Sequence, residues 1–118
     1  MVIGKGDTDR PRTLRNQDPY VLRVIGDMDL DHADQLRGSL DTALSEAPEG
    51  SDVIVDLQNS SFCDSTGLNV LLAAREEARV LGHHLLLAAP SHQMIRLLDL
   101  TGSDGLFTLL PSVADRRE

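Results

Sequence analysis

One segment of the sequence, residues 53–68, constrains the fold of this chain more than any other. It begins with a β-branched apolar run at 53–57, bounded by turn-forming residues, which predicts a buried strand. After a polar loop, Asp64, Ser65, Thr66 and Gly67 open a stretch in which apolar residues recur every three or four positions, the spacing of an amphipathic helix. Because short carboxylate and hydroxyl side chains accept hydrogen bonds from the unpaired N–H groups of a helix start, this junction is predicted to be a capping site.

Ser65 has a second interpretation at the same place. A helix start also offers unpaired N–H donors and a favourable dipole to an added phosphate. The residues themselves leave open whether Ser65 is a cap, a phosphorylation site or both.

Strands and helices alternate along the rest of the chain. The predicted elements, in order, are a strand at Tyr20–Ile25, a helix at 33–47, the strand at 53–57, a helix at 68–81 with Leu81 inward, a buried strand at 85–89, a helix after Ser91 with Met94, Ile95 and Leu98 inward, and an extended segment at 106–110. Such alternation predicts an α/β fold with a mixed, mostly parallel sheet of four to five strands and helices packed against it. Residues 113–118 are expected to add about one helical turn.

The N-terminal residues carry weaker patterns. Residues 1–12 show no apolar periodicity and are expected to form a flexible lead-in or a loosely attached edge. A short edge strand is expected at 13–16, so the folded domain is assigned to residues 13–118.

Acidic residues follow the first firm strand and precede the helix at Ser65. Functional loops of parallel α/β sheets lie at the carboxyl ends of the strands, so Asp27, Asp29, Asp64 and Ser65 are expected to share one edge of the sheet. Asp29 or Asp31 is also suited to cap the first helix. Helix capping and contact with a partner therefore remain equally good interpretations of the acidic residues.

Composition and charge exclude several classes of protein. The 118 residues suit one domain, and a net charge of −8 argues against a nucleic-acid-binding surface. No apolar run approaches the ~20 residues of a membrane span, and no signal-peptide core is visible. Cys63 is the only cysteine, which excludes an internal disulfide, fits a reducing compartment and predicts a cytoplasmic protein. Its thiol is expected to pack beneath the loop as a small apolar group.

No complete catalytic, metal-binding or cofactor-binding motif is present. His83 and His84 are adjacent and would point to opposite faces of a strand, so the four histidines are interpreted as solvent or loop residues rather than metal ligands. The residues before Ser65 lack the first glycine of a nucleophile elbow. Asp56 could act as a phosphoacceptor aspartate, but Lys5 is the only lysine, so Asp56 is interpreted as a strand-end residue that hydrogen-bonds in a loop. We expect no catalytic residue, no metal and no cofactor.

Several motifs together resemble a known family. Gly26-Asp-Met-Asp29 precedes a helix, Asp64-Ser-Thr-Gly-Leu68 follows an apolar strand, and Leu97-Leu-Asp-Leu-Thr-Gly102 comes at a matching distance. These motifs are similar to those of STAS domains, and more narrowly to those of the bacterial anti-sigma factor antagonists, over about residues 21–110. Ser103 departs from the family, which often has an apolar residue there, and looser packing is expected after Gly102.

The resemblance implies a mechanism. In such antagonists the serine of the Asp-Ser-Ser/Thr-Gly motif is phosphorylated by an anti-sigma factor that is itself a serine kinase, and a serine phosphatase reverses the modification. Carried across, the phosphoacceptor is Ser65, and the unphosphorylated protein binds the kinase and frees a sigma factor. The expected partner-binding residues are Asp27, Asp29, Asp64, Ser65, Thr66 and Gly67. The protein would be a monomer or weak dimer that contacts neither nucleic acid nor membrane directly.

Two further assignments stay open at this stage. STAS domains also serve as subunits of membrane transport or lipid-trafficking complexes and as scaffold components of stress-sensing assemblies. Such transport subunits need no phosphorylatable serine, so the intact motif from Asp64 to Gly67 favours a non-enzymatic regulatory module. Thr66 is a second candidate phosphoacceptor, although capping or simple exposure also explains a threonine there.

Overall fold

Within residues 2–5 and 18–115, which the computed structural model describes, five strands alternate with three α-helices. The strands are β1 (Val2–Lys5), β2 (Tyr20–Ile25), β3 (Asp52–Asn59), β4 (His84–Ala88) and β5 (Thr108–Leu110), and the helices are α1 (Ala33–Glu46), α2 (Ser65–Val80) and α3 (His92–Leu100). Short 3-10 turns at Leu30–His32 and Val113–Asp115 precede α1 and follow β5.

The strands form one sheet in which their spatial order is the same as their order in the sequence. β1 pairs antiparallel with β2, and every later neighbouring pair is parallel. This confirms the predicted mixed, mostly parallel sheet. Because Tyr20 pairs with Val53 and Val53 pairs with Leu85, the carboxyl ends of β2, β3 and β4 lie along one edge of the sheet, together with the loops that follow them.

All three helices pack on the same face of this sheet. Val55 and Leu87 of the central strands belong to one buried cluster with Leu36 of α1, Leu71 of α2 and Leu98 of α3. This arrangement follows from the topology, since right-handed crossovers between successive parallel strands place every helix on one side when the strand order never reverses.

The opposite face of the sheet carries the intervening residues of the same strands. Ile54, Leu86 and Ala88 form a second, smaller buried cluster there. Asp56 has the same parity as Ile54 and therefore faces this side. It was expected at the end of the strand, with its side chain hydrogen-bonded in a loop, but β3 runs on to Asn59, so Asp56 lies within the strand and is 8% exposed. Its carboxylate accepts a hydrogen bond from the Gln58 N–H and lies 3.6 Å from Nε of Arg23.

The N-terminal expectations meet the structure only in part. Val2–Lys5 lies inside the segment 1–12 that was expected to be a lead-in or loosely attached edge, and it forms the edge strand β1. The edge strand expected at 13–16 and the last residues of the expected C-terminal turn, 116–118, lie outside the described residues. The described part of that turn forms the 3-10 turn Val113–Asp115.

The helix ends agree with the glycine pattern. Gly82 and Gly102 follow α2 and α3 with φ angles of +86° and +76°, a left-handed conformation that glycine adopts without steric cost. The expectation of looser packing at Ser103 was wrong. Ser103 is 5% exposed, its N–H donates to the Leu98 carbonyl, and its hydroxyl accepts a hydrogen bond from Thr101 Oγ1 at 3.0 Å.

Two apolar residues that were expected to point inward are exposed. Ile95 of α3 is 44% exposed and Leu81, which follows α2, is 48% exposed, whereas Met94 and Leu98 are buried as expected. Apolar residues spaced three or four positions apart define the buried face of a helix only to within about one residue. Which apolar residue at the border of that face is exposed depends on how the helix packs against the sheet. No helix in the described part of the chain is long and apolar enough to cross a bilayer.

Replacement of Leu71 tests the helix–sheet interface. Leu71→Ala should lower the free energy of unfolding by about 2–5 kcal/mol, because its side chain is fully buried between α2 and the sheet. Leu100→Ala is the matched control, since Leu100 ends α3 at 78% exposure and should change stability by less than about 0.5 kcal/mol. Chemical denaturation measures both values, and equal losses would contradict this packing.

Candidate functional site

Two loops at the carboxyl edge of the sheet are joined through their backbones. The Met28 N–H donates to the Phe62 carbonyl at 2.8 Å, and the Asp64 N–H donates to the Met28 carbonyl at 3.1 Å. These bonds form a short parallel bridge between Met28 and Cys63, which are 1% and 0% exposed. We call this structure, residues 26–29 together with 60–65, the two-loop junction.

Asp64 is the cap of α2, and it also holds the start of the preceding turn. One carboxylate oxygen, Oδ1, accepts from the Gly67 N–H at 2.9 Å, and the other, Oδ2, accepts from the Leu30 N–H at 3.3 Å. A carboxylate at a helix start satisfies an unpaired donor and complements the helix dipole. Asp64 was expected to contact a partner. In the structure its half-buried side chain accepts hydrogen bonds from both sides of the two-loop junction, from α2 and from the turn before α1.

Ser65 is the first residue of α2, so the interpretation of Ser65 as the cap was wrong. Asp64 occupies the capping position, and the Ser65 hydroxyl makes no hydrogen bond with any residue that the structure describes. Ser65 is exposed, while Thr66 beside it is half-buried. The Ser65 hydroxyl is therefore both accessible and unused by the fold.

Gly67 is required by the close approach of α2 to the first loop. It is buried, and a Cβ added there would lie 2.1 Å from the Met28 carbonyl oxygen and 2.7 Å from its carbon. Contact distances this short are forbidden by van der Waals repulsion, so only a residue without Cβ allows the two-loop junction to close. Gly67 was expected to contact a partner, and its place in the structure is beneath the surface.

Asp27 and Asp29 lie on the loop that follows β2, as expected. Asp29 caps the turn before α1, where its Oδ1 accepts from the His32 N–H at 3.2 Å and lies 2.6 Å from His32 Nδ1. The hydrogen bond from the His32 side chain holds the pKa of the Asp29 carboxyl below its ordinary value. Asp27 accepts a hydrogen bond from the Ser61 hydroxyl at 3.3 Å. Both carboxylates are half-buried and oriented by the two-loop junction.

Gln93 anchors the second loop to α3, a role that the sequence analysis missed. Its Oε1 accepts from the Cys63 N–H at 2.8 Å, and its Nε2 donates to the Cys63 carbonyl at 2.7 Å. The side-chain amide thus pairs with both backbone groups of Cys63 as a neighbouring strand would. In the sequence, Gln93 is visible only as a glutamine in the first turn of the helix after Ser91. Nothing in that local pattern indicates that its side chain pairs with Cys63, 30 positions earlier.

Cys63 is packed as expected. The thiol is fully buried, and burial, with a smaller contribution from the Asp64 charge, raises its pKa to about 12. A neutral buried thiol is a poor nucleophile, so Cys63 contributes packing to the two-loop junction.

The histidine interpretation was partly wrong. His83 is 6% exposed, and its Nδ1 lies 2.8 Å from the Ser51 carbonyl oxygen, whereas His84 is exposed. Within residues 2–5 and 18–115, no cluster of three or more histidine, cysteine or acidic side chains is arranged to hold a metal ion.

Comparison with known proteins identifies relatives for most of the chain. A family model described as "Mlab, STAS domain" matches residues 12–111. The Anti-sigma-B factor antagonist of Bacillus subtilis (strain 168) is 32% identical over 88 residues, which cover 75% of this chain and 78% of that protein.

Solved structures show the same fold. An anti-sigma factor antagonist from Mycobacterium paratuberculosis superposes with a TM-score of 0.70 at 25% identity, covering 98% of this chain and 90% of that one. A sulfate transporter family protein from Wolinella succinogenes superposes with a TM-score of 0.69 at 21% identity, covering 90% of each chain, a likeness of fold alone.

Substitution of Gly67 should disrupt the two-loop junction. Gly67→Ala should destabilise the protein by about 2 kcal/mol or more, because the methyl group would overlap the Met28 carbonyl. Gly38→Ala in α1 is the matched control, since no atom lies within 4 Å of its added Cβ and alanine favours a helix by about 1 kcal/mol. Thermal and chemical unfolding should give changes of opposite sign, and a stabilised Gly67→Ala protein would refute the contact.

The His32 contact to Asp29 predicts a dependence on pH. Since the pKa of Asp29 is lowered in the folded state, its contribution to stability is present above the ordinary pKa and is lost as the pH falls through the lowered value. His32→Ala should move the pKa of Asp29 up, toward its ordinary value, in an NMR titration of the side-chain carboxyl carbons. His92→Ala, which removes an exposed histidine at the start of α3, should leave the Asp29 titration unchanged.

Proposed function

This chain belongs to the STAS-domain family, and from that premise we propose that it is an anti-sigma factor antagonist controlled by phosphorylation of Ser65. In this proposal the unmodified protein binds an anti-sigma factor that is also a serine kinase, and a sigma factor is released. The kinase transfers the γ-phosphoryl group of ATP to Ser65 Oγ, the hydroxyl proton passes to a base of the kinase, and ADP leaves. A serine phosphatase hydrolyses the phosphate ester and restores the unmodified protein.

The observation that supports this proposal best is the free, exposed hydroxyl of Ser65 at the first position of α2. Because Asp64 already caps the helix, a phosphate on Ser65 would replace no hydrogen bond of the fold. The helix dipole favours negative charge at this end. The modified domain can therefore keep its structure while its surface changes.

The expected effect of the phosphate is on binding. It adds about −1.5 to −2 charge at neutral pH, in a chain with a net charge of −8 and beside the half-buried Asp64 carboxylate. In an interface, repulsion and desolvation costing about 3–4 kcal/mol would weaken binding by a few hundredfold. The partner surface that suits this arrangement is basic.

The surface offered to the kinase consists of the acidic residues and their apolar neighbours. Asp27, Asp29, Asp64 and Thr66 are at least partly accessible around Ser65, while Gly67 supports them from below. Leu30 and Phe62, at 71% and 43% exposure, belong to the two connections that the two-loop junction joins and add apolar area to the same surface. Apolar groups of this kind supply the buried centre of an interface, and the carboxylates supply its rim.

The fold alone does not separate this function from a subunit of a transport complex, since a sulfate transporter family protein shares it. The curated relative at 32% identity is named for antagonism of an anti-sigma factor, and Ser65 retains the hydroxyl that such regulation needs. Both observations favour the regulatory assignment, in which the chain is a kinase substrate and performs no catalysis itself.

The test combines the chain with the serine-kinase anti-sigma factors of its source and ATP. Mass spectrometry should locate one phosphate on Ser65, and the phosphorylated protein should bind the kinase a few hundredfold more weakly. Ser65→Ala should take no phosphate and retain full affinity. Ser65→Asp should bind at least about tenfold more weakly, a loss of about 1.4 kcal/mol, because it adds one charge at the same position.

Thr42→Glu is the charge control for that series. Thr42 is exposed near the C-terminal end of α1, at the end of the sheet away from Ser65, so an added carboxylate there should leave affinity unchanged. Equal affinity of the unmodified, Ser65→Ala and Ser65→Asp proteins would refute the switch. Phosphate found on Thr66 and not on Ser65 would show that Thr66 is the phosphoacceptor.

A further inference from the structure

A cavity at the opposite end of α2 from Ser65 has no role in the proposed function. It has a volume of about 340 Å³, which is within the size range of sites for small organic ligands. Arg75 and Arg79 from the last turns of α2 line it, together with His83 before β4 and Leu85 in β4, and Leu106 and Phe107 before β5. We call it the arginine pocket, and we propose that it binds a small organic phosphate monoester.

Arg75 is held in place at the wall of the arginine pocket. Its Nε donates to the backbone carbonyl of Leu106, a contact that joins α2 to the loop before β5. The two terminal nitrogens of the guanidinium form no hydrogen bond with the residues that the structure describes. A guanidinium fixed through Nε presents these donors as a fork, which matches the geometry of a phosphate oxyanion.

Arg79 supplies a second positive charge one helical turn further on. Its guanidinium pairs with Glu76 through Nε, at 3.3 Å from Oε1, and through Nη2. Its remaining terminal nitrogen makes no hydrogen bond within the described residues. Glu76 offsets the charge of Arg79, so Arg75 supplies the positive charge of this wall that no carboxylate of the described residues pairs with.

The end of α2 does not oppose an anion as strongly as an uncapped helix end would. The N–H groups of Leu81, Gly82 and His83 donate to the carbonyls of Glu77, Arg79 and Ala78. These bonds satisfy the carbonyls that carry the negative end of the helix dipole. The cationic side chains are then the nearest exposed charges of α2 to the cavity.

His83 fixes a polar side chain at the same place. Its Nδ1 donates to the Ser51 carbonyl at 2.8 Å, which holds the ring in one orientation beside the cavity. Nε2 makes no hydrogen bond in the described part of the chain. It is therefore available to pair with a polar atom of a bound ligand.

The apolar part of the ligand follows from the other walls. Leu85 and Phe107 are 7% exposed and Leu106 is 43% exposed, so the arginine pocket combines an oxyanion-binding side with an apolar side. A monoester with a compact aromatic or alkyl group can occupy both sides. Inorganic phosphate fills only the first.

Phenyl phosphate is a suitable probe for the full chain in phosphate-free buffer of low ionic strength. Backbone amide signals of residues 83–85 and 105–108 should shift saturably on titration. Arg75→Gln and Arg79→Gln should each weaken binding about tenfold, the loss expected for one charge-assisted hydrogen bond. Arg79→Gln leaves the contact between Arg75 and Leu106 intact, so it separates loss of binding from loss of loop structure.

Arg37→Gln is the matched control, because Arg37 pairs with Asp34 three positions earlier on α1 just as Arg79 pairs with Glu76. It should not change the affinity. Three results would each overturn the proposal: no saturable shift at about 10 mM probe, where a Kd of 1 mM gives about nine-tenths occupancy; equal weakening by Arg37→Gln; or binding of phenyl phosphate no tighter than that of inorganic phosphate. Since the site is remote from Ser65, these outcomes leave the phosphorylation proposal untouched.

Discussion

The close approach of the Met28 carbonyl to Gly67 is the constraint on which the rest of the site depends. It brings the loop after β2 against the first turn of α2, so that the Met28 N–H and carbonyl can both pair with the second loop. Asp64 can then use its two oxygens on different elements, one on α2 and one on the turn before α1. A side chain at position 67 would separate these elements, and the orientation of every carboxylate around Ser65 would change with it.

The distribution of roles between Asp64 and Ser65 explains how an exposed hydroxyl without a hydrogen bond can lie at the start of a helix that packs in the core. A helix start needs a side-chain acceptor, and Asp64 meets that need. Ser65 is left with a hydroxyl that supports nothing in the fold, on the first turn of a helix whose inner face packs in the core. Chemistry on that oxygen changes the surface charge and leaves the packing of α2 unchanged.

The sequence predicted the fold well because its patterns are local. The β-branched run at Tyr20–Ile25 and the glycines at 82 and 102 specify an element or its end without reference to distant residues. The errors arose where a one-residue shift or a long-range contact decides the outcome. Capping changes from Ser65 to Asp64 when the helix begins one residue earlier, and Ile95 turns outward when α3 docks through Met94 and Leu98. The pairing of Gln93 with Cys63 joins positions 30 residues apart, and no local pattern encodes it.

The burial of Cys63 also gives the molecule a natural reporter of its own motion. The thiol lies inside the two-loop junction, and the chain contains no other cysteine. Because the thiol is fully buried, a thiol reagent can reach it only when the structure around the two-loop junction opens. The rate of labelling under native conditions measures how often the junction opens, without any added probe. The same reaction, followed in the presence of a binding partner, reports whether that partner holds the junction closed.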